Sequence, residues 1–287
     1  MSDIQKSLRI RPMTPADVAT GMRFKTLAGW NQVEQDWQRF LALSPGGCFV
    51  AEIGNEPAGT VVTVTFGGVC GWVAMVLVPP ERRRQGIGTA MLRHGIAHLQ
   101  DSGVDTVKLD ATPMGRQVYV PLGFRDEYGL ERREGVGQAC RWTSVRAMRD
   151  SDLTDVIAFD TPRFGVCRED LLRYLYRDSG GLCGVFPGAG SAIQGYVMVR
   201  PGSSAFQIGP LVAAHERAGR SLFCWTLDRL AGEPVFFDVP LENPHGTGLA
   251  EEFGFSVQRG FTRMYLGGKP CGGLPRQVYA TSGPEKG

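Results

Sequence analysis

Apolar positions recur along this chain with two alternating periods, and the switches between them outline the elements. Residues 8–13 alternate apolar and polar, as a half-buried strand does. Residues 18–27 and 33–43 carry apolar side chains at helical spacing, with Gly29-Trp30-Asn31 between them and Thr14-Pro15 supplying helix-start chemistry. Residues 49–53, 58–66 and 72–78 are rich in Val and Thr. They are joined by Gly54-Asn55-Glu56-Pro57 and Gly67-Gly68, so the pattern predicts three consecutive antiparallel strands. Pro79-Pro80 ends the third, because proline has no N–H to give to a ladder. Helical spacing returns over 89–99 and stops at Gly103. A strand over 107–111, a short helix through Tyr119, the Gly123-Phe124 stop and a polar strand near 126–133 complete the series.

From Ala139 the same succession begins again, offset by about 130 residues. Arg146-Ala147-Met148 echoes Arg11-Pro12-Met13, residues 193–199 echo the central hairpin, and 206–213 echo the strand at 72–78. Phe237-Asp238-Val239 echoes Leu109-Asp110-Ala111, and Gly254-Phe255 echoes Gly123-Phe124. A tandem duplication follows, divided as 1–138, 139–267 and a linker with a C-terminal segment over 268–287. Within that segment, 278–280 is expected to form a last short strand returning to the first domain.

Composition narrows the class. A chain of 287 residues with 43% hydrophobic residues has material for two cores. Its net charge of +2 argues against bulk nucleic-acid binding. The seven cysteines are scattered and odd in number, which suggests neither a disulfide framework nor a zinc site, so reduced thiols in a cytoplasmic protein are expected. Residues 1–6 have no apolar leader core and no run is long enough to span a bilayer, so no membrane partner is expected.

The concentrated chemistry lies at Arg82-Arg83-Arg84-Gln85-Gly86-Ile87-Gly88-Thr89, between a buried strand and a helix. Free N–H groups at a helix start, the positive end of its dipole and two glycines that let a ligand approach make an anion site. The pattern Arg83-x-x-Gly86-x-Gly88 after a Val/Leu strand, with Tyr119 four residues before Gly123-Phe124, resembles the GNAT (Gcn5-related) N-acetyltransferase superfamily. The two-part plan resembles its bacterial type with a degenerate C-terminal domain.

That resemblance implies an α/β (α+β) fold class: tandem GNAT folds, each a mixed, mostly antiparallel sheet flanked by helices. It implies acetyl-CoA as co-substrate, with no metal. The pantetheine would be aligned by the backbone of Val76, Leu77 and Val78, and the diphosphate held by Arg83, Arg84, Gln85, Gly86, Ile87, Gly88 and Thr89, with Arg116 nearby. Tyr119 takes the family's acid position, since a phenol near pKa 10 can protonate a leaving thiolate. No carboxylate stands on the strand at 72–78, so Asp110 is the candidate base, with Asp160 and Asp238 as further carboxylates near the cleft. Trp30 is the candidate acceptor contact. His94 and His98, four apart, lack a third metal ligand.

The second copy reads His215-Glu216-Arg217-Ala218-Gly219-Arg220-Ser221, in which only Arg217 and Gly219 fit the loop pattern, and Ala250 stands where a Tyr would. The reading is therefore an N-acetyltransferase of a small-molecule amine, acting by direct transfer in a ternary complex with one working site. A homodimer is allowed by it. The rivals are a non-catalytic acyl-CoA-binding module and a protein lysine acetyltransferase.

Overall fold

A computed structural model describes residues 8–189, 192–268 and 271–287. Residues 1–6, read above for a leader, and Lys269-Pro270 of the linker lie outside the described residues. The chain forms two compact units. Of the described residues, 8–109 and 266–268 make the first, and 110–265 with 271–287 make the second.

The first unit holds strands β1 (Leu8–Pro12), β2 (Cys48–Ile53), β3 (Glu56–Phe66), β4 (Cys70–Leu77) and the start of β5 (Thr106–Ala111). Neighbours β1 to β4 are antiparallel, as the short turns between β2, β3 and β4 require. β5 joins β4 in parallel, after the crossover helix α3 (Ile87–Asp101), over Cys70–Trp72 and Thr106–Lys108. Helices α1 (Val18–Leu27) and α2 (Glu34–Leu43) precede the sheet strands β2 to β5. Trp37 of α2 is buried and lies on Gly21 of α1, where a Cβ would stand 2.6 Å from the indole. Gly95 of α3 sits against Val61 and Thr63 of β3, and this closeness seats the helix on the sheet.

The second unit begins with α4 (Pro113–Tyr119) and β6 (Arg125–Val136). It continues through β7 (Arg146–Ala147), α5 (Leu153–Phe164), α6 (Glu169–Asp178), β8 (Cys183–Pro187), β9 (Ile193–Arg200), β10 (Phe206–Ala213), α7 (Glu216–Arg229), β11 (Pro234–Pro240), α8 (Pro244–Glu252), β12 (Ser256–Gly267) and β13 (Val278–Ala280). Its strands run in the order β7-β8-β9-β10-β11-β6-β12. Phe223, Phe237, Phe253 and Phe255 meet edge-on at 5.2–5.9 Å between α7 and the sheet.

The compact units therefore cut across the sequence repeats. β6 ends the first repeat by sequence, yet it lies between β11 and β12, antiparallel to both. Two buried ion pairs accompany this exchange. Arg132 of β6 donates to both oxygens of Asp238 on β11 at 2.9 Å, and Arg263 of β12 donates to both oxygens of Asp110 at 2.8 and 2.9 Å. Each aspartate lies in the C-terminal half of its repeat's fifth strand, and each arginine comes from the other repeat's last strand.

Two expectations are overturned. The sulfurs of Cys140 and Cys224 are bonded, with their Cα atoms 5.2 Å apart across 84 residues of sequence, so the thiols are not all free. Spacing along the chain gives no hint of such a pair. Residues 278–280 do form a strand, but β13 pairs antiparallel with β10 of the second unit and does not return to the first.

Candidate active site

The strand–turn–helix at the centre of the sequence argument is built inside the first unit. β4 carries a bulge: Met75 has φ 50°, the pairing shifts between Thr60 and Val62, and the Thr60 hydroxyl donates to the Met75 carbonyl at 2.9 Å. After it the backbone of Val76, Leu77 and Val78 runs into a 3-10 turn at Pro80–Arg82. Arg83 and Arg84 are exposed, and Arg83 Nε donates to the Val78 carbonyl at 3.1 Å, which folds the turn back on its strand. Gln85 Nε2 donates to the Glu81 carbonyl at 3.3 Å.

Gly86 is the N-cap of α3, with φ 82°, in the left-handed region where a side chain is costly. Among the described residues no side chain caps this helix start, and the first intrahelical bond runs from Ala90 N to Gly86 O at 3.0 Å. Ile87 is buried beneath the turn. At Gly88 a Cβ would come no closer than 3.6 Å to any protein atom, from Val78. The protein's own packing therefore does not demand glycine at 88. A side chain there would stand in front of the first-turn N–H groups, and its omission keeps that space open for an anion. Residues 83–89 fit a diphosphate on this ground.

The same place in the second repeat carries a side-chain cap. α7 has His215 as its N-cap, extended in backbone, and His215 Nδ1 accepts from Ala218 N at 3.2 Å. Its Nε2 meets Gln194 Oε1 at 2.6 Å, so the ring is held at both nitrogens. The helix start satisfies its own donor with its own imidazole. By helix position His215 matches Gly86 and Arg217 matches Gly88. Gly219 is no loop glycine: it lies inside α7 against the ring of Tyr279. Around that helix start Arg141, Trp142, Thr143, Glu216, Arg217 and Arg220 line a cleft of about 430 Å³.

Tyr119, Asp110 and Arg116 belong to the second unit. Tyr119 ends α4, which Thr112 caps by accepting from Gly115 N at 3.1 Å. Its ring lies 6.0 Å from that of Phe124 and above Gly115. Among the described residues the hydroxyl has no hydrogen-bond partner, and burial pushes the phenol up to about 12. Arg116 is engaged by Asp126 through two nitrogens at 2.8–3.2 Å, an exposed pair.

The carboxylates are committed elsewhere. Asp110 has both oxygens on Arg263, whose third arm donates to the Tyr128 hydroxyl at 2.7 Å. Burial raises this carboxyl and the Arg263 charge opposes the rise. Asp160 is held by Arg168 at 2.7 and 2.9 Å and by the Tyr196 hydroxyl, and Asp238 by Arg132 and Gln207. These partners were missed because each lies on a different strand or loop from its aspartate. Trp30 is half-buried in the loop between α1 and α2, its backbone N–H donating to the Lys25 carbonyl at 2.9 Å. His94 and His98 both stand edge-on to Phe49. Among the described residues no three His, Cys, Asp or Glu could hold a metal ion.

Comparison with known proteins supplies the family. Residues 20–124 match the family model described as acetyltransferase (GNAT) family, and residues 156–280 match that described as acetyltransferase (GNAT) domain. The chain belongs to the GNAT family. A curated relative, holothin acyltransferase from Pseudoalteromonas sp. (strain SANK 73390), is 24% identical over 246 residues, covering 85% of this chain and 82% of the relative. A protein from Pyrococcus horikoshii described as an acetyltransferase superposes with a TM-score of 0.84 at 24% identity, over 98% of this chain and 96% of its own. A tandem GNAT protein from the clavulanic acid biosynthesis pathway has a TM-score of 0.60 at 17% identity, over 92% and 99% of the two chains. The chain is thus a tandem GNAT acyltransferase, and its two helix starts differ in how they are capped.

Proposed function

We propose that the chain is an acetyl-CoA-dependent N-acetyltransferase of a small-molecule amine, with one working cofactor site at residues 76–89. The observation that carries this reading is the contrast between the two helix starts. α3 begins with an αL glycine, no side-chain cap and two exposed arginines, whereas α7 begins with an imidazole on its own N–H. Bound at the first, acetyl-CoA supplies the activated acetyl group.

The chain's residues then have separate duties. The N–H groups at the start of α3, with Arg83 and Arg84, bind the diphosphate, a charge-assisted arrangement. The backbone of Val76 to Val78, beyond the last β5 pairing at Trp72, aligns the pantetheine. The phenol of Tyr119 keeps its proton throughout the neutral range and gives it to the departing thiolate sulfur. Asp110 is assigned the role of ion-pair partner to Arg263 and no longer that of base. The amine nitrogen bonds to the acetyl carbon as the C–S bond breaks, its proton passes to water, and water returns a proton to the Tyr119 oxygen. The name of the curated relative, holothin acyltransferase, supports acyl transfer to a discrete acceptor over modification of protein lysines.

The deciding experiment mixes purified chain with acetyl-CoA and a panel of amines and follows free thiol. Turnover with at least one amine is expected, and Gly86→Glu is expected to abolish CoA binding while Arg217→Glu leaves it unchanged. CoA held without turnover on any amine would favour the binding-module reading instead.

A further inference from the structure

We infer that residues 278–282 are a built-in occupant of the second repeat's cofactor channel, standing where the pantetheine arm runs in a working repeat and limiting the chain to one CoA. This inference rests on the reading that the fourth strand of a GNAT repeat aligns that arm. In both repeats the fourth and fifth strands pair in parallel at only three positions: Cys70–Trp72 with Thr106–Lys108, and Phe206–Ile208 with Val235–Phe237. Beyond those positions neither pair continues its ladder.

In the second repeat the chain itself enters at that point. Leu211 pairs with Ala280 and Val212 with Val278 on β10. On the other side Thr281 N donates to the Asp238 carbonyl of β11 at 2.9 Å. One segment thus bonds the backbone of both strands where they part. An extended peptide and a pantetheine arm carry amides along a narrow chain, so one channel suits either, and peptide addition to an open strand edge is a common mode of recognition.

The fit extends to side chains. The Tyr279 ring lies so close over α7 that a Cβ at Gly219 would stand 2.2 Å from it. At Gly209, with φ 141°, a Cβ would stand 1.8 Å from the Thr281 carbonyl oxygen. Tyr279, Ala280, Thr281 and Ser282 are each at most 3% exposed. Two buried side chains hold the segment, Asn243 Nδ2 donating to the Val278 carbonyl at 2.9 Å and Arg168 to the Ser282 hydroxyl at 2.7 Å, and just beyond it Arg200 donates to Glu285 at 2.6 Å. The arm's channel in this repeat is thus filled by protein, and His215 takes one of the first-turn N–H groups beside it.

The test uses the full chain and reads amide exchange at 278–282 by mass spectrometry beside a calorimetric titration with CoA. One CoA per chain is expected, with exchange at 278–282 unchanged at saturation. Gly219→Ala should push Tyr279 out and speed that exchange at least tenfold, leaving the CoA affinity within twofold of wild type. Tyr279→Ala should speed it as well, and adding Gly219→Ala to Tyr279→Ala should change nothing further. Two CoA per chain with loss of protection at 278–282, or Gly219→Ala with wild-type exchange, would overturn the inference. A chain that bound no CoA would defeat the proposed function, while the exchange arms would still decide the occupancy.

Discussion

At the scale of single residues, the site's chemistry depends on which groups are free to act. Tyr119 has a hydroxyl without a partner among the described residues and a phenol pushed up to about 12. It stays protonated through pH 10, so it adds no alkaline limb to kcat near the ordinary tyrosine value. Tyr119→Phe is expected to lower kcat by about 10²- to 10⁴-fold with CoA affinity unchanged. An undiminished kcat in that variant would remove the assignment. Asp110 is the opposite case, since both its oxygens are spent on Arg263. Asp110→Asn would strand the Arg263 charge in the interior, at a cost of about 3–5 kcal/mol. Its thermal unfolding midpoint should therefore fall far below wild type. A variant with a wild-type midpoint and no turnover would return Asp110 to the role of base.

At the scale of elements, the decisive comparison is between α3 and α7. Gly86→Ala places a Cβ at φ 82° and is expected to cost about 1 kcal/mol as well as weakening CoA binding. His215→Ala removes a cap and should cost about 1 kcal/mol with CoA binding intact, as denaturant melts and titrations would show. Much of this level was legible in the sequence, because it is local. The Val-rich runs, the Pro79-Pro80 stop, the two-glycine turn and the repeat are all written in consecutive residues. What escaped was set by contacts distant in sequence. Nothing in Arg125 to Val136 says that its partners are β11 and β12, nor that Arg132 will meet an aspartate on another strand. Cys140 and Cys224 are joined for the same reason. The His215 cap was missed on chemistry, since capping is read from Ser, Thr, Asp and Asn. Without it the start of α7 reads as a damaged loop instead of a helix start capped by its own side chain.

At the scale of the whole molecule, the duplication leaves a signature in acid stability. Each repeat opens with the same device: an arginine at the end of the first strand grips an aspartate that also caps the next turn. Arg11 donates to Asp17 at 2.8 and 2.9 Å, and Arg146 to Asp152 at 2.7 Å through both outer nitrogens. Asp17 accepts from Thr14 N and Asp152 from Arg149 N. Chiefly through its arginine, Asp17 is held down at about 2 against an ordinary 3.8, and Asp152 is lowered for the same cause. A carboxyl whose folded value lies below its unfolded one binds a proton more readily in the unfolded chain. Its contribution is thus complete above about pH 5 and drains away as pH falls toward 2. His94 adds to this from a higher pH, because burial lowers its value and favours the uncharged ring in the folded chain. Asp17→Asn with Asp152→Asn should therefore melt below wild type at pH 6, and the gap should hold to about pH 5 and narrow from there to pH 3, as the wild-type carboxyls take up protons on unfolding. Either single variant should close about half of that gap, since the two aspartates stand in different units and share no partner. A gap that stayed constant from pH 6 to pH 3 would mean that the two arginine clamps contribute through packing alone.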